Sequence, residues 1–95
     1  MYARVTNTKC DPARLDEMVA LIDEIKPRAK SLPGLVDAYS VWRANGECVV
    51  MAIYESQSAA EAAAPQIQAI WGELADLLVA PPSAETYDQV EHMTG

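Results

Sequence analysis

The sequence predicts an α+β sandwich in which two helices cover one face of a four-stranded antiparallel sheet. Three observations predict it. Two apolar stripes recur at helical spacing, one over residues 15–32 and one over 67–78. Between them lies "VWRANGECVVMAIYES", residues 41–56, a β-hairpin signal centred on Asn45-Gly46. Segments rich in β-branched and aromatic residues open the chain and close it.

Each element follows in order. "YARVTNT", residues 2–8, reads as the first strand. Asp11 is placed to cap the first helix, and Pro12 suits its first position, where a missing N–H costs nothing. Leu15, Met18, Val19, Ile22, Ile25, Ala29 and Leu32 then form one buried stripe. Pro27 is expected to kink this helix or split off its last turn, and "LPG" at 32–34 stops it. Residues 35–43 and 47–55 are the hairpin strands, and a two-residue turn at Asn45-Gly46 sets Trp42 opposite Val49. Ser58 and Glu61 have capping-box spacing for the second helix, which Pro65 interrupts. Ile67, Ile70, Trp71, Leu74, Leu77 and Leu78 are its buried stripe, "APPS" ends it, and "AETYDQVEH" at 84–92 is the last strand. The order βαββαβ interleaves into a ferredoxin-like sandwich over residues 1–95, one domain.

Composition excludes several functions. A formal net charge of −7 argues against nucleic acid and anionic membrane, both of which need a basic footprint. No run of 18 apolar residues exists to span a bilayer. The start "MYARVTNTK" lacks a secretory pattern, so a cytoplasmic protein with reduced thiols is expected. Cys10 and Cys48 fall where the first strand ends beside the start of the third, so the two thiols are expected to be neighbours.

With the two-residue turn, Val36, Ala38, Ser40, Trp42, Val49, Met51 and Ile53 share one face of the hairpin. Leu35, Tyr39, Val41, Cys48, Val50, Ala52 and Tyr54 share the other. Both faces are largely apolar, and the helices cover one. The other would expose more apolar surface than a soluble monomer usually carries. A second copy of the same sheet is the economical cover, which predicts a two-fold homodimer through the sheet face.

"MYARVT", "DPARLDE", "LPG", "IYES" and "PPSAETYDQVE" together resemble the antibiotic biosynthesis monooxygenase family of dimeric α+β barrel proteins, over nearly the whole chain. The resemblance implies a ferredoxin-like protomer that pairs sheet to sheet. It also implies oxygenation of an aromatic or quinol-type small molecule with no metal, flavin or other cofactor. Such chemistry needs an apolar pocket for a planar substrate and donors that steady its anion. Asn7, near the end of the first strand, and Trp71, on the second helix, are the candidate catalytic donors. Met18, Ile22, Tyr39, Trp42 and Tyr54 are the candidate substrate-binding residues. Haem-degrading relatives resemble this Asn and Trp pattern but add a histidine after the Trp. Residues 71–78 here read Trp-Gly-Glu-Leu-Ala-Asp-Leu-Leu, with none.

Plainer readings stand beside these. Trp71 suits a packed core, and Asn7 suits a local turn. His92, the only histidine, falls at the far end of the last strand from Asn7. Asp16-Glu17 and Asp23-Glu24 read as a solvated helix face. The competing function is a non-catalytic dimeric barrel that binds a small ligand or a partner.

Overall fold

The computed structural model describes residues 1–95. Strand β1 (Tyr2–Cys10) leads through a 3-10 turn at Pro12–Arg14 into α1 (Leu15–Lys30). The hairpin β2 (Leu35–Trp42) and β3 (Glu47–Tyr54) follows, then α2 (Gln57–Leu74), a 3-10 turn at Ala75–Leu77, and β4 (Leu78–Tyr87). The sheet order is β2-β3-β1-β4, with every neighbouring pair antiparallel. This is the expected ferredoxin-like sandwich.

Local chemistry sets the boundaries. The Asp11 carboxylate accepts from the Ala13 N–H at 2.9 Å. Both helices run unbroken through their prolines. Pro27 and Pro65 are exposed, as are Asp23 and Glu61, whose carbonyls each proline would otherwise leave unpaired. Water can satisfy those carbonyls, so neither proline splits its helix. The cap of α2 is Ser56, not Ser58: the Ser56 hydroxyl accepts from the Ala59 N–H at 3.1 Å. Ser56→Ala is therefore expected to lower unfolding free energy by about 1 kcal/mol in urea titration, and Ser58→Ala by much less.

Two corrections concern the sheet. The hairpin loop holds three residues, 44–46, closed by the Gly46 N–H to the Arg43 carbonyl at 2.9 Å. Gly46 has φ +95°, as in a type I turn followed by a left-handed bulge residue. The register therefore moves by one: Trp42 lies opposite Cys48, and Val41 opposite Val49. Ala38, Ser40 and Trp42 share the helix side with Cys48, Val50, Ala52 and Tyr54. Tyr39 and Val41 join Val49, Met51 and Ile53 on the open side. A bulge at Val36 shifts the pairing again toward Leu35. The last strand begins at Leu78 rather than Ala84 and ends at Tyr87, with residues 88–92 outside it. Pro81 and Pro82 lie on this edge strand, where a missing donor is tolerated. The ladder to β1 is irregular there, and the Thr8 hydroxyl donates to the Ala80 carbonyl at 2.8 Å.

Packing forms two clusters under the helices. Cys10, Met18, Leu74 and Leu77 make one, joined by Ile22 and Trp71 among others. Tyr54, Ala60 and Ala63 make the second, where the small residues of α2 let the helix approach the sheet. No helix is long and apolar enough to cross a membrane.

Candidate functional site

The helices and the sheet do not close fully against each other. Between them lies a cavity of about 950 Å³, lined by 31 residues of which 22 are hydrophobic. That volume is in the range of small-molecule sites, roughly 300–1,000 Å³. Helix α1 supplies Met18, Val19, Ile22 and Ile25 to its wall, and α2 supplies Ile67, Ile70, Trp71 and Leu74. These are the two amphipathic stripes read from the sequence.

The floor comes from alternate residues of the two central strands. On β3 it is Cys48, Val50, Ala52 and Tyr54; on β1 it is Arg4, Thr6, Thr8 and Cys10. The β1 row inverts the usual pattern, because a row facing the core of a sandwich is normally apolar. Here the polar row faces the helices, while Ala3 and Val5 face the other way. Sequence reasoning missed Arg4, Thr6 and Thr8. Their alternation with Ala3 and Val5 was the available signal.

The structure gathers Met18, Ile22, Trp42, Tyr54 and Trp71 around this cavity, and Tyr39 borders it from edge strand β2. It does not bring Asn7 to Trp71 within one chain. Asn7 is exposed and pairs with Val49 and Ser83, whereas its neighbours Thr6 and Thr8 turn into the cavity. Alternation along the strand therefore puts Asn7 on the open face. His92 is exposed and lies five residues beyond Tyr87, which pairs with Ala3 at the start of β1. The sequence reading put it at the end of the last strand, but β4 ends at Tyr87 and His92 lies outside it.

Electrostatics distinguish the polar groups. Tyr54 is fully buried, and its hydroxyl has no hydrogen-bond partner. Burial pushes its pKa up, and the Arg4 guanidinium nearby pulls the other way. Tyr54 therefore stays a neutral donor at physiological pH. Tyr39 instead donates to the Asp37 carboxylate at 3.0 Å, and that bond raises its pKa. Cys10 and Cys48 are buried free thiols. Burial raises the Cys10 pKa, with Asp11 and Cys48 adding to the effect, so it is a poor nucleophile.

No protein-family model matches the chain, and no curated protein matches it significantly. Solved structures do match. A candidate antibiotic biosynthesis monooxygenase from Caulobacter crescentus aligns with TM-score 0.81 at 20% identity, over 95% of this chain and 90% of its own. The monooxygenase of the ActVA-Orf6 gene of Streptomyces coelicolor, solved with nanaomycin D, aligns with TM-score 0.75 at 23% identity, over 97% and 89%. SnoaB, a cofactor-independent oxygenase from Streptomyces nogalater solved as its N63A mutant, aligns with TM-score 0.76 at 14% identity, over 99% and 97%. The chain has the fold of the antibiotic biosynthesis monooxygenases. At these identities the likeness fixes the fold and leaves the reaction to be argued from the site. In this antibiotic biosynthesis monooxygenase fold, the cavity between the helices and the sheet is the candidate site.

Proposed function

We propose that this is a cofactor-independent, monooxygenase-like protein acting on an aromatic or quinol-type small molecule in the cytoplasm, and that it works as a homodimer through the open sheet face. The cavity carries this reading: it is mostly apolar and of ligand size, with polar groups confined to part of its wall. The likeness to two oxygenases supports it. In such a reaction the bound substrate loses a proton, its anion passes one electron to O2, and the two radicals join at carbon. Loss of water leaves a carbonyl, so that CH2 and O2 give C=O and H2O. The protein's part is to hold a planar ring among apolar side chains and to steady the anion. Trp71 is the donor this reading assigns to that role: it lines the cavity, and its indole N–H has no protein acceptor. Asn7, on the other face, takes no part.

The test is oxygen uptake with the anthrone dithranol. Trp71→Phe keeps the ring bulk and removes the N–H, and loss of one such donor costs roughly 10²–10³-fold in rate elsewhere. Turnover is expected to fall more than about tenfold, while Asn7→Leu leaves it nearly unchanged. The second reading, a binding module without turnover, is favoured by one observation. Only one of the two expected donors reaches the cavity. Stoichiometric dithranol binding without oxygen uptake by the unaltered protein would establish that reading and overturn the first.

A further inference from the structure

We infer that the ligand of this cavity is an organic anion, whose charged group docks on Arg4 with the Tyr54 hydroxyl as a second donor. This rests on the reading of the cavity as a small-molecule site. Arg4 is half-buried on a central strand and lines the cavity. The chain's ion pairs are Arg14–Glu17, Lys26–Asp23, Arg28–Glu73 and Arg43–Glu47. Arg4 is in none of them, although the chain carries 14 acidic residues and only 7 Lys and Arg. The Arg4 guanidinium thus has no protein counter-charge on a mostly apolar wall, and an anionic group of a ligand would give it a charge-assisted partner there.

Two further observations agree. Tyr54 is buried with an unpaired hydroxyl, and Arg4 is close enough to oppose the burial-driven rise of its pKa. Arg4 pairs with Ala52, so Tyr54 is its diagonal neighbour on the same side of β3. Two donors thus share one corner of the cavity, and neither has an acceptor. The charge of the wall also departs from that of the molecule. The wall holds three cations, Arg4, Lys26 and Lys30, against two carboxylates, Asp23 and Asp37, whereas the whole chain is −7. The cavity is thus locally cationic in an anionic protein, which draws anions toward it. Arg offers a planar fork that pairs bidentately with a carboxylate, sulfonate or delocalised enolate.

The experiment compares two fluorescent probes with the same ring frame. One is 1-anilinonaphthalene-8-sulfonate, an anion; the other is N-phenyl-1-naphthylamine, which is uncharged. The unaltered chain is expected to bind the sulfonate at least about tenfold more tightly, a difference of ~1.4 kcal/mol. Arg4→Met keeps the aliphatic length and removes the charge. It should abolish that preference while leaving affinity for the uncharged probe unchanged. Tyr54→Phe should weaken the sulfonate alone, by a smaller factor. Equal affinities in the unaltered chain, or an equal loss of both probes in Arg4→Met, would overturn the anion site and leave the cavity reading intact. Failure of both probes to bind would overturn the cavity reading and this inference together.

Discussion

Met51→Asp is expected to convert a dimer into a monomer. In sedimentation at micromolar concentration the unaltered chain should run at about twice its 10.3 kDa mass, and the variant at 10.3 kDa. Met51 sits mid-strand on β3 between Val5 of β1 and Tyr39 of β2, at the centre of the open face. Around it, Tyr39 is 59% exposed, Val41 60% and Met51 itself 41%, a run of exposed large apolar side chains on one sheet face. Residues Gln89, Val90 and Glu91 border the same face beside Ala3 and Val5, so the tail shields part of the β1 side. The β2–β3 side is left for a partner. Burying an unpaired carboxylate there costs several kcal/mol, so about 3 kcal/mol or more should be lost from association, over a hundredfold in Kd. Val41→Asp should act alike, because the corrected register puts both residues on this face. Val50→Asp is the contrast: it faces the helices and should unfold the chain instead. A monomeric unaltered chain, or a Met51→Asp variant that remains dimeric, would remove the proposed interface.

The sequence carried the topology because each element declares its period: 2 for strands, 3.6 for helices. It carried parity less well. Asn-Gly fits a two-residue turn and also a three-residue loop with a left-handed glycine, and the two differ by one residue of register. That slip moved Ala38, Ser40 and Trp42 from the side of Val49, Met51 and Ile53 to that of Cys48, Val50 and Ala52, and moved Tyr39 and Val41 the other way. The expectation of two apolar faces did not depend on it, because either set of β2 residues is mostly apolar. Parity also decided the candidate donors. Counting from Ala3 and Val5, Asn7 belongs on the open face, yet its chemistry drew it into the site. Arg4 was passed over for the converse reason, since a charged strand residue is usually solvated. Only the volume between helix and sheet shows that the row Arg4, Thr6, Thr8 faces a cavity. The cap was misplaced because Ser56 and Ser58 both fit the signal and only backbone geometry separates them. The start of β4 was hidden by Pro81-Pro82, which read as a terminator anywhere but on a sheet edge.

Gly46→Ala is expected to lower unfolding stability by about 3 kcal/mol or more, combining the ~1–3 kcal/mol of a left-handed non-glycine residue with steric overlap. Gly46 has φ +95°, and a Cβ added there would press into the Cys10 carbonyl oxygen. That oxygen has little room to give. The Cys10 N–H donates to the Gly46 carbonyl at 2.8 Å, and the next N–H, of Asp11, donates to the Leu77 carbonyl at 2.7 Å. The loop is therefore pinned against the end of β1, and the end of β1 against the 3-10 turn that follows α2. At roughly 4–8 °C per kcal/mol for a domain of this size, Tm should drop by about 12 °C or more. Asn45→Ala should cost far less, about 1 kcal/mol, because it removes only two local bonds: the Asn45 amide N–H donates to the Glu47 carboxylate, and its oxygen accepts from the Glu47 N–H. Gly72→Ala makes the opposite case. Gly72 is an exposed residue inside α2 with open space where its Cβ would be, so alanine should stabilise by about 0.5–1 kcal/mol. Thermal unfolding of the three variants separates the causes. If Gly46→Ala melts no lower than Asn45→Ala, the bulge is not pinned against Cys10. The hairpin register on which the two faces of the sheet depend would then have to be redrawn.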